Sequence, residues 1–311
     1  MAENERIFAA AVADNQGDFA PVDWTLFFSI SLIWGASFLL IAESLEAFSP
    51  GVVTLGRVGL GAITLAVLRL GTGGEAIERR DRGRVVLLAV VWVAIPFTLF
   101  PLAQQWINSA VTGLLNGATP VFVAVVSILF VRVAPRGLQV VGLGLGLVGI
   151  VLIAAGSAGE GTSQARGVAL VLVATTCYGI AFNVAPSLQA KYGAVTLMSA
   201  VLGVAAVLCV PYALVDLGEN QWDPMAAAAL FGLGAVGTGI AYWVMASLVG
   251  RVGSIRASFI TYLIPVVSLV LGIVVRGDDV TGVALIGAPI TIVGAVLASR
   301  PAEIGRLRAS S

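Results

Sequence analysis

The second half of the chain repeats the first, and each copy carries an odd number of membrane-length segments. Trp34-Gly35-Ala36-Ser37-Phe38 returns as Tyr178-Gly179-Ile180-Ala181-Phe182, 144 residues later. Gly117-Ala118-Thr119-Pro120-Val121 returns as Tyr262-Leu263-Ile264-Pro265-Val266, and Gly149 as Gly294, each 145 residues later. Each copy holds about five apolar runs of bilayer-spanning length. With an odd count, the second copy must enter the membrane from the opposite face. Inverted repeats of this kind mark secondary transporters, with a solute site near the midplane where the repeats meet.

A chain with 59% hydrophobic and 11% charged residues and a mean hydropathy of +1.01 is unlike a soluble domain. Lys+Arg and Asp+Glu number 17 each, so net charge offers nothing to nucleic acid. Residues 1–23 are acidic and polar, with no basic region ahead of an apolar stretch, and read as a tail rather than a cleaved signal peptide. Cys177 and Cys209 fall inside apolar runs and read as small buried hydrophobes rather than a disulfide or metal pair.

Ten spans are expected, near 24–42, 51–70, 85–103, 109–131, 138–156, 167–187, 194–215, 225–249, 255–275 and 281–299. Lipid admits no open sheet, and these runs are too long and uniform for barrel strands, so the spans must be helices. Charge sets their orientation. With the N-terminus cytoplasmic, the inner connections carry Arg79, Arg80, Arg82, Arg84, Arg132, Arg136, Lys191, Arg251, Arg300, Arg306 and Arg308. The outer ones carry Arg166 and Arg276 beside Glu43, Glu46, Asp216, Glu219, Asp223, Asp278 and Asp279. The expected fold is an all-α polytopic membrane protein: ten transmembrane helices as two inverted five-helix repeats, 24–156 and 167–299, between cytoplasmic tails 1–23 and 300–311.

Leu32-Ile33-Trp34-Gly35-Ala36-Ser37-Phe38 resembles the first helix of the EamA branch of the drug/metabolite transporter superfamily. So do Arg57 in the second span, the Pro-centred Ala118-Thr119-Pro120-Val121 and Leu263-Ile264-Pro265-Val266, and the Gly-rich helices Gly142 to Gly149 and Gly287 to Gly294. The resemblance covers roughly residues 24–299 and rests on the order and spacing of these features. Members often place Gly-Glu before the last helix of each repeat; here the second copy has Gly277-Asp278, whereas the first reads Arg132-Val133-Ala134. The resemblance implies a bacterial inner-membrane carrier exporting amino acids or related metabolites by alternating access. Uptake, and cargo such as drugs, vitamins or nucleotide sugars, also occur in the superfamily.

Candidate site residues follow from the repeat and from polarity in lipid. A proline within a helix displaces the carbonyl four residues earlier, so Pro120 frees that of Asn116 and Pro265 that of Thr261. Such groups face either a cavity or a neighbouring helix that heals the kink. Trp34 pairs with Tyr178 under the repeat, Phe97 with Tyr242, and Thr98 with Trp243; Tyr262 sits opposite Gly117. If the repeat axis crosses the site these aromatics line it, suiting an amphipathic solute; otherwise they pack or face lipid. Trp92 and Trp106 lie nearer span ends and read as interface residues. Ser37, Asn116 and Asn183 supply further polar lining. Arg57, about two turns below Gly51, is the one charge well inside a span; it serves a solute carboxylate, snorkels, or clamps helices.

The chain has no His, and no Asp or Glu lies mid-span, which argues against a carboxylate proton relay. Gly232-Leu233-Gly234-Ala235-Val236-Gly237 and Gly144-Leu145-Gly146-Leu147-Val148-Gly149 match a dinucleotide fingerprint but lack its strand and acid, so they read as packing faces and no cofactor is expected. A membrane enzyme would need a basic partner for a serine, and Lys191, the sole lysine, sits in a loop; nor is there a set of metal ligands within the spans. The expected partners are a small organic solute and the lipid bilayer, with the monomer sufficient. A non-transport polytopic protein is the rival from another class.

Overall fold

The computed structural model describes residues 20–70, 76–131, 137–157, 162–215, 217 and 220–298. The tails at 1–19 and 299–311, with Arg300, Arg306 and Arg308, lie outside the described residues, as do Arg132, Val133, Ala134, Arg136, Asp216 and Glu219. Every regular element among the described residues is helical. In chain order these are α1 (Pro21–Ser44), α2 (Pro50–Arg69), α3 (Arg82–Leu88), α4 (Ile95–Ala103), α5 (Ser109–Asn116), α6 (Thr119–Val131) and α7 (Leu138–Ser157). Then come α8 (Thr162–Tyr192), α9 (Ala194–Val215), α10 (Pro224–Phe231), α11 (Ala241–Val252), α12 (Ser254–Ala257), α13 (Ile260–Leu271) and α14 (Gly282–Ala298). Among the described residues, eight helical stretches are long and apolar enough to cross a membrane, the last of them Pro224–Val252. The two remaining apolar helices, Ile260–Arg276 and Gly282–Ala298, are shorter. At 1.5 Å per residue each reaches about 25 Å, a little under a typical hydrocarbon core.

Starts and stops follow local chemistry. Pro21, Pro50 and Pro224 occupy the first helical turn, where a missing N–H costs nothing. Asn108 and Asp223 cap their helices by accepting from the N–H of Val111 and Ala226 at 2.9 and 2.8 Å. Several Ser and Thr hydroxyls inside the spans are satisfied within their own helices: Ser31, Thr54, Thr98 and Thr291 each donate to the carbonyl four residues earlier. The expected fourth span is broken at Gly117-Ala118, between α5 and α6. There the Thr119 hydroxyl donates to the Asn116 carbonyl at 2.7 Å, so the carbonyl facing Pro120 is satisfied locally. The expected ninth span is broken at Ser258-Phe259, where the Thr261 and Tyr262 N–H groups bond three residues back.

Three stretches widen into π-helix: Ala89–Ala94 between α3 and α4, Gly232–Ile240 between α10 and α11, and Gly272–Arg276 after α13. The first two coincide under the 145-residue offset. Each is a packing platform: α9 lies on the first and α2 on the second. A π turn breaks the regular ladder and re-aims the side chains beyond it, and such turns gather at functional sites.

Helix contacts also recur at the repeat offset. A Cβ on Gly35 of α1 would sit 2.5 Å from the Val267 Cβ; one on Gly179 of α8 would sit 2.9 Å from the Phe122 carbonyl oxygen, and Phe122 is the repeat partner of Val267. α7 and α14 pack on each other along a small-residue face in which Gly142, Gly146 and Gly149 meet Ala298, Gly294 and Thr291. The two fingerprint-like glycine runs thus lie in α7 and in a π-helical stretch, both against neighbouring backbone. Cys177 and Cys209 are free, and Cys209 is buried in the core.

Asp278 explains one sequence feature. The acid follows Gly277, whose φ of 72° sits in the left-handed region that glycine tolerates. Its carboxylate accepts from the Ser109 hydroxyl at 2.5 Å and the Ala110 N–H at 2.9 Å, capping α5 from the far end of the sequence. Asp278→Ala should therefore destabilise the fold by about 2 kcal/mol. A thermal melt of detergent-purified protein unchanged from wild type would refute this capping role.

Candidate functional site

The site is built around one buried charge. Arg57 of α2 is 6% exposed. α2 approaches the π-helical stretch Gly232–Ile240 closely because glycines meet at the crossing: a Cβ on Gly61 would lie 2.6 Å from Thr238, and one on Gly234 would lie 3.0 Å from the Gly56 carbonyl oxygen. That approach lets Arg57 Nε donate to Thr238 Oγ1 at 3.2 Å, while the Thr238 hydroxyl donates to the Leu233 carbonyl at 3.1 Å, a bond the wider π turn makes available. On its other side the guanidinium lies over the Phe97 ring, 3.7 Å from ring centroid to guanidinium carbon. Thr54 holds that stretch in place, its hydroxyl 3.1 Å from the Phe97 carbonyl. None of the ion pairs among the described residues involves Arg57. The phenols of Tyr178 and Tyr242 are within its electrostatic reach.

Nearby, aromatic rings from both halves of the chain form an arc. Trp34 meets Tyr242 edge-on at 5.8 Å, Tyr242 meets Trp92 at 6.2 Å, and Trp92 meets Phe182 at 5.5 Å. Phe182 then meets Tyr178 at 6.1 Å, Tyr178 meets Phe100 at 6.0 Å, and Phe100 meets Phe38 at 5.5 Å. Tyr178 packs against both large hydrophobic clusters, one around Leu88, Leu197 and Leu202, the other around Ile41, Leu115 and Ile153. The arc therefore lies on the seam between them.

The structure brings Trp34, Arg57, Phe97, Tyr178 and Tyr242 together. Ser37 lies beside the π stretch, its Oγ 3.2 Å from where a Cβ on Gly237 would stand, with its hydroxyl donated to the Ile33 carbonyl. Asn116 is buried, and its Oδ1 lacks a hydrogen-bond partner. Asn183 is exposed and ties α8 to α6 through the Val123 carbonyl at 3.2 Å. Trp243 is 40% exposed and makes none of the arc's ring contacts. Tyr262 is half-buried against Phe259, its hydroxyl 3.4 Å from the Ala295 carbonyl. Pro265 is buried against Gly117, and Pro120 stands in the first turn of α6. Trp92, expected at the interface, is buried in the arc instead, because the π turn that contains it turns its ring inward. Thr238, Phe100, Phe38 and Phe182 were not among the expected lining; for Phe38 and Phe182 a signal existed, since they are repeat partners. Among the described residues no group of three His, Cys, Asp or Glu could hold a metal ion.

Polar links close the two ends. At one, Arg276 beyond α13 bridges Glu43 at 2.6 Å and Glu46, joining it to the end of α1. Two open hollows flank this link, about 420 Å³ beside Glu46, Trp222 and Asp223, and about 240 Å³ beside Gln104, Ser109 and Arg276. At the other end Asp81 accepts from Lys191 at 2.8 Å and from the Tyr192 hydroxyl at 2.6 Å, and Arg251 pairs with Asp23. Lys191 also meets Glu78 at 2.7 Å, and this bond holds the Glu78 carboxyl below its ordinary range.

The EamA-like transporter family matches the chain twice, over residues 24–155 and 165–300. An uncharacterized transporter of Archaeoglobus fulgidus is 24% identical over 277 residues, 89% of this chain and 98% of its own length. A probable terminal-alkyne amino-acid exporter of Streptantibioticus cattleyicolor is 24% identical over 294 residues, 93% of this chain and 96% of its own. The uncharacterized inner membrane transporter YedA of Escherichia coli is 22% identical, covering 87% of this chain and 88% of its own. A crystal structure with a TM-score of 0.61 and 18% identity, covering 90% of this chain and 97% of that one, shares the fold. Two matches spanning nearly all the apolar helices, over a fold with eight helices of membrane-crossing length among the described residues, show that this chain is a multi-pass membrane protein belonging to the EamA-like transporter family.

Proposed function

We propose that the protein is a secondary carrier that exports small organic solutes, amino acids or related metabolites, by alternating access through the site between its halves. The observation that carries this is Arg57: a buried guanidinium with no carboxylate partner among the described residues, set in an aromatic arc to which both halves contribute. A charge that costly to bury is retained for work on a solute. In this reading ten helices cross the membrane as two inverted five-helix repeats, 24–156 and 167–299, with both termini cytoplasmic. Support comes from the recurrence of the Gly35 and Gly179 crossings and of the two π-helical platforms at the repeat offset. Further support is the gathering of Glu43, Glu46 and Asp223 at one end of the molecule and of Arg80, Lys191 and Arg251 towards the other. The monomer suffices, since the small-residue faces of α7 and α14 are consumed against each other within one chain. The exporter likeness supports amino-acid cargo.

The test is exchange in proteoliposomes preloaded with single amino acids, without any ion gradient. Saturable exchange of one chemical group is expected; background flux across amino acids, vitamins, nucleosides and drugs would refute the carrier reading. An imposed pH gradient should by itself drive no uphill accumulation, because no mid-span carboxylate or histidine is present to carry the proton. Clear accumulation under that gradient would overturn this second expectation.

A further inference from the structure

We propose that Arg57, Tyr178 and Tyr242 form a carboxylate-binding subsite: the solute is held by its carboxylate, with its apolar body along the aromatic arc, and an amine on it is dispensable. This rests on the carrier reading and names the chemistry of its cargo. Of the five guanidinium donors, the one engaged is Nε–H, which donates to Thr238. The two terminal nitrogens, the fork that takes a carboxylate end-on, hydrogen-bond to no described residue. Phe97 fixes the plane of the guanidinium and Thr238 its rotation, so the fork is oriented before any ligand arrives. The hydroxyls of Tyr178 and Tyr242 likewise have no hydrogen bond to a described residue, though both rings are pinned by neighbours. Phe97, over which the guanidinium lies, belongs to the hydrophobic cluster against which Tyr178 and Tyr242 pack, so these unspent donors gather on one side of the seam.

Charge balance selects the ligand. One guanidinium neutralises one negative charge, which fits a carboxylate and leaves a phosphate dianion undercompensated. No Asp or Glu lies in the middle of a span to recognise an ammonium. An amine on the solute therefore meets only ring faces, which accept a cation or a hydrocarbon alike. Removing the amine should leave binding intact, and removing the carboxylate should not.

The experiment is a ligand series on purified full-length protein in nanodiscs, read by the fluorescence of Trp34 and Trp92, which flank Tyr242. The probes are 3-phenylpropionate, phenylalanine, phenylalaninamide, phenethylamine and phenyl phosphate. The two carboxylates should bind saturably within about threefold of each other, and the remaining three about tenfold more weakly or worse. Arg57→Gln should erase the preference, and Arg57→Lys, which keeps the charge and loses the fork, should weaken it. Should Arg57→Gln fail to fold, the wild-type series decides alone. Amide or amine binding as tightly as the acids would overturn the subsite, as would tighter phosphate binding, a preference surviving Arg57→Gln, or no saturable response to either carboxylate. Binding of the acids without exchange in proteoliposomes would keep the subsite and sink the carrier reading. Exchange that favours amines or amides over acids would do the reverse.

Discussion

Gly294→Ala should cost the protein its stable fold, whereas Gly144→Ala, in the partner helix, should be neutral or slightly stabilising. A Cβ on Gly294 would stand 2.2 Å from the backbone nitrogen of Gly146, 2.6 Å from its Cα and 2.8 Å from the Gly142 carbonyl oxygen. Backbone atoms cannot rotate aside as a side chain can, so α7 and α14 would have to part along their length. In lipid there is no hydrophobic drive to hold helices together, and their association rests on close packing of this kind. Overpacking of a tight site costs about 1–3 kcal/mol, and here the upper end is expected because no flexible atom can yield. Gly144 points outward with nothing within 4 Å of its Cβ position, so there alanine only adds about 0.5–1 kcal/mol of helix preference. Thermal melts and size-exclusion profiles in detergent compare the pair. Equal melting temperatures would show that the α7–α14 contact is not what holds these helices.

Tyr242→Ala should abolish most exchange while leaving the protein in the membrane. The ring is the junction of the arc, touching Trp34 on one side and Trp92 on the other, with Arg57 in electrostatic reach of its phenol. Two aromatic contacts at about 0.5–1.5 kcal/mol each make a loss of about 2 kcal/mol, or roughly thirtyfold in apparent affinity. Trp34→Ala removes one of those contacts and should cost less. Tyr242→Phe keeps both rings in contact and loses only the hydroxyl, so its deficit measures the polar part alone. Normal flux with normal surface expression in both alanine variants would remove the aromatic arc from the transport mechanism.

Much of the architecture was legible because lipid leaves few options. Long apolar runs must be helices, the 145-residue offset pairs them, and glycine-rich faces must meet other backbones, as Gly146 and Gly294 do. Arg57 stood out for the same reason, since a charge inside an apolar run is anomalous on sight. The faces of the helices were another matter. Tyr242 and Trp243 are adjacent in sequence and equally aromatic, yet one joins the arc and the other is 40% exposed. Neighbours on a helix diverge by about 100°, and helices that are apolar all round carry no amphipathic stripe to say which direction is inward. Trp92 illustrates the second difficulty: its π turn changes the angular count, and nothing in Ala89–Ala94 announces the change. Pro120 shows a third, since the carbonyl it faces is answered by its own neighbour Thr119 rather than by a cavity. Sequence by itself determined that the chain lies in the membrane and that its long apolar runs are helical. Only the tertiary structure decided which faces meet, because in a chain this uniformly apolar that choice rests on close contacts between helices far apart in sequence.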